Sequence, residues 1–149
     1  MNGVPYRTVW MEAGRIHLID QRQLPARFAI VTLGTYHEAA QAIREMTVRG
    51  AGAIGVAAGY AMAQAALQAP PERVEETLAS AAAMLRATRP TAWNLFCAID
   101  RVLEGVSSVA EVAAKRRRAM EIAQAIADED AQAGERIGAI GQALLPSYR

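Results

Sequence analysis

Hydrophobic and polar positions alternate through the first part of the chain and then change period. Thr8-Val9-Trp10-Met11 and Arg15-Ile16-His17-Leu18-Ile19 carry the two-residue repeat of strands with one buried face. The intervening Glu12-Ala13-Gly14 is short and contains glycine, which suits a hairpin link. A third run, Phe28 to Leu33, follows Pro25, so residues 7–33 are expected to form a small antiparallel sheet. From Thr35 onward the spacing becomes helical. Ala39, Ala40, Ile43 and Met46 recur at three- and four-residue steps behind a threonine that can cap a helix.

Helices are expected over 36–46, 53–68, 71–87, 92–104 and 108–144. Breaks fall at Arg49-Gly50, Pro70-Pro71, Arg89-Pro90 and Gly105, with Pro71 and Ser108 as start signals. The last helix carries an apolar stripe from Val109 to Leu144 with a candidate break at Gly134 or Gly138, and Leu145-Pro146 should stop it. The fold class is therefore α+β and mostly helical, a β-rich part (7–33) followed by a helical bundle (36–144). With no internal repeat or linker, residues 1–149 read as a single domain.

Composition sharpens this picture. Apolar residues make up 52% of the chain but aromatics only 5%, a balance that favours closely packed, alanine-rich helices. Residues 50–71 contain no charge, roughly the length that spans a bilayer. Their alanine, glycine, Gln64 and Gln68 lack the leucine, isoleucine and phenylalanine that drive insertion, so the segment is expected to be the central helix of the bundle, not a membrane span. Sixteen Lys and Arg against fifteen Asp and Glu give a net charge of +1, which argues against nucleic acid or an anionic membrane as partner. The amino terminus has no secretory pattern, and the single cysteine fits a cytoplasmic location.

Two places could hold an anion. Gly50-Ala51-Gly52-Ala53-Ile54-Gly55 matches a dinucleotide fingerprint, but the preceding residues are helical in period and leave no strand to deliver the chain to such a turn. The same loop, with Arg49 before it and a helix behind it, has the outline of a phosphate site. On physical grounds alone a tight interhelical turn is the simpler reading, with Gly55 and Gly59 admitting a neighbouring helix. Thr88-Arg89-Pro90-Thr91-Ala92 repeats the arrangement with Thr91 as the expected cap, and here too a simpler role exists: Arg89 could bond the last carbonyls of the preceding helix. Cys97 lacks a partner base and reads as a small buried side chain. His17 and His37 lack metal-ligand spacing, and Lys115-Arg116-Arg117-Arg118 reads as solvated surface.

Four segments, in order, resemble the methylthioribose-1-phosphate isomerases. They are Leu18-Ile19-Asp20-Gln21-Arg22-Gln23-Leu24-Pro25, Val48-Arg49-Gly50-Ala51-Gly52-Ala53-Ile54-Gly55, Thr88-Arg89-Pro90-Thr91-Ala92-Trp93-Asn94-Leu95 and Gly134-Glu135-Arg136-Ile137-Gly138. The second and third also belong to a wider group that includes ribose-1,5-bisphosphate isomerases and the regulatory subunits of eukaryotic translation initiation factor 2B. The Asp-Gln-Arg-x-Leu-Pro segment points to the methylthioribose branch.

The resemblance implies that Arg49, Gly50, Ala51 and Arg89 contact a substrate phosphate, with Gly52 standing where the family usually has proline. It covers only the amino-terminal part of the family, so the resemblance implies that the Rossmann-like domain that supplies the catalytic cysteine and aspartate is not among these 149 residues. The expectation is thus the phosphate-binding part of an aldose–ketose isomerase of methionine salvage, inactive alone, with no catalytic residue, metal or cofactor of its own. Its partners would be a small-molecule sugar phosphate and the missing carboxyl-terminal domain or its separate chain. Alone it would be a monomer, or a homo-oligomer paired through exposed apolar surface. Two alternatives are an isomerase of another phosphosugar, such as ribose 1,5-bisphosphate, and a non-catalytic interaction module like those of initiation factor 2B.

Overall fold

The computed structural model describes residues 7–145 and has the expected plan of a small antiparallel sheet leading into helices. Strands β1 (Val9–Glu12), β2 (Arg15–Ile19) and β3 (Ile30–Leu33) lie in that order, each antiparallel to the next. Val9 pairs with Leu18, and Ile16 pairs with Leu33. The β1–β2 link is two residues, Ala13 and Gly14, both at positive φ (48° and 76°). Two left-handed positions in a row give a turn that follows the natural twist of the strands. The register puts Val9, Ile16, Leu18 and Leu33 on one buried face, toward the helices.

The helices are α1 (Tyr36–Arg44), α2 (Ala51–Gln68), α3 (Val74–Arg86), α4 (Trp93–Ser107) and α5 (Val112–Leu144), with a 3-10 turn at Pro71–Arg73 before α3. Helix α2 is the axis: every residue from Ile54 to Ala66 is buried, and all four other helices pack on it. Its alanines and glycines allow that approach. A methyl group at Gly59 would sit 3.2 Å from Ile126 Cδ1 of α5. Buried Gln64 donates to the carbonyls of Gly14 (3.0 Å) and Leu33 (3.1 Å) and so ties α2 to the sheet. The uncharged segment is therefore a bundle core, and no described helix is long and apolar enough to cross a membrane.

Several boundaries differ from expectation. Ser108 does not open α5; it closes α4 in helical conformation, and α5 begins behind Glu111, whose carboxylate accepts from the Ala113 and Ala114 amides at 2.7 and 2.6 Å. Helix α5 runs unbroken through Gly134 and Gly138, about 50 Å for its 33 residues. The expected stop at Pro146 lies outside the described residues. The basic run is not uniformly solvated. Lys115 is buried against Glu75, and Arg116 donates to the Ala66 (3.1 Å) and Ala69 (2.6 Å) carbonyls at the end of α2, while Arg117 and Arg118 are exposed beside Glu121. The carboxyl-terminal third of α5 leaves the bundle, with Ile137, Ile140 and Leu144 largely exposed.

Candidate functional site

The loop into α2 is held by backbone bonds and packing as far as Val48. Helix α1 ends at Glu45, Met46 takes a left-handed φ of 60°, and the Thr47 amide bonds back to the Ala42 carbonyl at 2.9 Å. Thr47 and Val48 are buried. From there Arg49 emerges exposed, and Gly50 opens α2 with φ 95° and ψ 136°, a conformation that a side chain would strain. The glycine at this position thus has a backbone reason. Among the described residues no side chain caps the start of α2, so the N–H groups of its first turn have no side-chain acceptor there. The helix begins at Ala51, two residues earlier than the sequence pattern suggested.

The second arginine precedes a start of the same kind. Helix α3 is closed by its own chain: the Thr88 hydroxyl and amide both donate to the Leu85 carbonyl, at 2.6 and 3.0 Å. Arg89 makes no hydrogen bond or ion pair through its side chain with any described residue, so it does not close α3. Thr91 is not the cap of α4. Pro90 and Thr91 form a turn, the Ala92 amide donates to the Arg89 carbonyl at 3.0 Å, and Ala92 occupies the capping position with no side-chain acceptor to offer. Arg49 likewise has no side-chain partner among the described residues.

The two starts touch. A methyl group on Gly55, one turn into α2, would lie 3.1 Å from the Asn94 carbonyl oxygen and 3.2 Å from Asn94 Cβ in the first turn of α4. A cleft of about 380 Å³ opens beside this contact, lined by Gly52, Gly55, Trp93, Asn94, Cys97 and Asp130 among others. Trp93 is 76% exposed over it. Cys97, one turn further, is exposed and not buried as the sequence suggested, because α4 turns this side of itself to the cleft. The Asp130 carboxylate of α5 sits so close to Gly52 that any side chain at position 52 would displace it. A carboxylate there complements the positive end of α2. Among the described residues no group of three His, Cys, Asp or Glu is placed to hold a metal ion.

A charge cluster built on one buried carboxylate escaped the sequence reading. Asp20, 2% exposed at the end of β2, accepts from Arg22 Nε (2.9 Å) and the Arg22 amide (3.1 Å) on one oxygen, and from Arg22 Nη2 (3.0 Å) and Gln23 Nε2 (2.8 Å) on the other. These bonds, the Arg22 side chain first, hold its carboxyl well below the usual carboxylate range despite burial. Arg22 Nη1 continues to Glu45 Oε2 at 3.2 Å, and the Gln21 amide donates to the Thr47 carbonyl at 2.9 Å. The Asp-Gln-Arg segment was visible in the sequence, but Glu45 lies 23 residues beyond Arg22, and nothing local announces the pairing.

The family model described as the initiation factor 2 subunit family matches residues 47–148. The chain belongs to that family. Its relatives include methylthioribose-1-phosphate isomerases from Roseiflexus sp. strain RS-1, 45% identical over 95% of this chain, and from Cereibacter sphaeroides, 43% identical over 97%. This chain spans 42% and 39% of those proteins. Among solved structures, the 5-methylthioribose 1-phosphate isomerase of Pyrococcus horikoshii OT3 superposes with a TM-score of 0.90 at 38% identity, over 97% of this chain and 42% of that one. The delta subunit of translation initiation factor eIF-2B from A. fulgidus gives 0.78 at 34% identity, over 84% and 37%. The resemblance drawn from the four sequence segments is thus met.

Proposed function

We propose that this chain is the phosphate-holding part of a methylthioribose-1-phosphate isomerase, acting in the cytoplasm in methionine salvage. Arg49, Gly50, Ala51 and Arg89 would anchor the substrate phosphate between the starts of α2 and α4. The observation that carries the reading is the pairing of two uncapped helix starts, each behind an arginine, at one point of contact. A cation beside a helix amino terminus opposes the dipole. Two such placements around open N–H groups make physical sense when an anion completes them.

The reaction class sets what this part can and cannot do. A phosphate on the anomeric carbon blocks ordinary ring opening, so an aldose 1-phosphate becomes a ketose 1-phosphate only when groups that move protons open the ring and shift hydrogen between neighbouring carbons. Arginines and backbone amides hold the phosphate and fix the anomeric carbon; they do not relay protons at neutral pH. The proton chemistry belongs to a cysteine and an aspartate in a carboxyl-terminal domain, which would be this chain's working partner. The long isomerase relatives have the length for such a domain.

The test is an assay with methylthioribose 1-phosphate, using the chain alone and mixed with the separately expressed carboxyl-terminal part of the Roseiflexus relative. Turnover only in the mixture is the expected result, and turnover by the chain alone would defeat it. A second reading, a non-catalytic interaction module, draws support from the likeness to the eIF-2B delta subunit and from the exposed Ile137, Ile140 and Leu144. It predicts no turnover in either case and no phosphate binding.

A further inference from the structure

We infer that Asp20, Arg22 and Glu45 form a clamp that positions the phosphate loop at Arg49–Ala51. The inference rests on the phosphate-site reading and assigns its positioning residues, none of which touches the phosphate. The clamp joins the end of β2 to the end of α1. Asp20 fixes the Arg22 guanidinium through two of its nitrogens, which leaves Nη1 aimed at Glu45, the residue that closes α1. Beside it, the Gln21 amide holds the Thr47 carbonyl. The chain from Glu45 to Val48 must also carry Met46 at φ 60°, a conformation disfavoured for a side chain of this kind. External bonds on both sides of Met46 keep it there. Thr47 and Val48 are buried, so a displacement of the turn at residue 46 passes through two packed residues to Arg49 and Gly50.

Glu45 provides a test with a sign. Its carboxylate is an anion four residues before Arg49, on the segment that leads to the proposed anion site, so removing that charge should by Coulomb attraction alone leave phosphate binding unchanged or tighter. The clamp predicts the opposite. Arg22 and Glu45 are each about half exposed, so Glu45→Gln, Arg22→Gln and Arg22→Lys should all fold.

The experiment is a titration of the 149-residue chain and these variants with inorganic phosphate, following the Gly50 and Ala51 amide signals by NMR with melting temperature as a control. We expect Glu45→Gln and Arg22→Gln to shift both signals before phosphate is added. They should also weaken binding about two- to tenfold, the scale of one hydrogen bond, and Arg22→Lys should recover part of the loss. Binding that is unchanged or tighter in Glu45→Gln overturns the clamp, and so does weaker binding with both signals in place. If the unaltered chain shows no phosphate response, the phosphate-site reading fails by itself. The clamp is then decided by the ligand-free signals, standing if they shift in Glu45→Gln and falling if they do not.

Discussion

Helices α1 and α5 begin differently from helices α2 and α4. Thr35 caps α1 through its hydroxyl, which accepts from the Glu38 amide, and Glu111 caps α5 through both carboxylate oxygens. Helices α2 and α4 have Gly50 and Ala92 in the corresponding places, with no side-chain acceptor, and an arginine close before each. The chain can therefore build caps, and it builds none at the two starts that touch each other, nor at α3, which continues from the 3-10 turn at Pro71–Arg73. A stable helix end satisfies its own donors, whereas a binding end keeps them open.

The largest effect should come from forcing the two open starts apart. Gly55→Val places a branched side chain against the Asn94 carbonyl and Cβ, atoms of another helix that cannot yield as a flexible side chain would. Overpacking of this kind costs about 3 kcal/mol. Thermal unfolding should register that loss and phosphate titration should show no binding, whereas a variant with full stability and full binding would show that the contact between starts is incidental. For comparison, Thr35→Ala at the capped start of α1 should cost about 1 kcal/mol and leave phosphate binding alone.

Next in size is the buried carboxylate beneath the loop. Asp20→Asn removes the charge that organises Arg22 and Gln23, a loss of about 2 kcal/mol on the scale of hydrogen bonds to charged groups. The pH dependence follows from the direction of the shift. Because folding lowers the Asp20 pKa, its contribution is fully present above the unfolded carboxylate value and is lost as pH falls toward the folded one. Urea melts of the two proteins should differ by a constant amount at neutral pH, and the gap should narrow below about pH 4. A gap that stays constant to pH 2 would mean that Asp20 acts through packing and not through charge.

The sequence showed some of this arrangement and concealed the rest for identifiable reasons. Strand alternation and helical spacing are local signals, and both the sheet and the central helix followed from them. Caps are less legible because they depend on which of several polar residues the turn presents. Thr91 resembles a better cap than Ala92, but Pro90 draws it into a turn; Ser108 resembles a better start than Glu111, but it completes the preceding helix. The family pattern placed Arg49 and Arg89 in the chain, while the contact of Gly55 with Asn94 and the bond of Arg22 to Glu45 required the fold.

Arginine replacement should separate stability from binding. On the proposed reading Arg49→Ala or Arg89→Ala would remove a charge-assisted contact to phosphate, and each should weaken binding about tenfold. The same changes remove a cation from a helix amino terminus, so the melting temperature should hold or rise slightly. Lysine at either position should recover only part of the affinity, since it cannot bond two phosphate oxygens in parallel. A fall in stability with no change in binding would return Arg89 to a structural role.

The smallest expected effect tests the comparison most directly, by turning an open start into a capped one. Ala92→Ser puts a hydroxyl where α4 lacks an acceptor, on a residue of nearly the same size that already occupies the capping position. Its oxygen can accept from an amide of the first turn, as Thr35 does on α1, and the gain should be about 0.5–1 kcal/mol. If those amides serve only the helix, serine stabilises the domain and nothing else changes. If they serve a phosphate, the new hydroxyl competes for the same donors, and a more stable protein should bind phosphate a few times more weakly. Calorimetric melting and phosphate titration on one preparation decide between these outcomes. Higher stability with unchanged affinity would remove α4 from the site and leave the phosphate to Arg49 and the start of α2 alone.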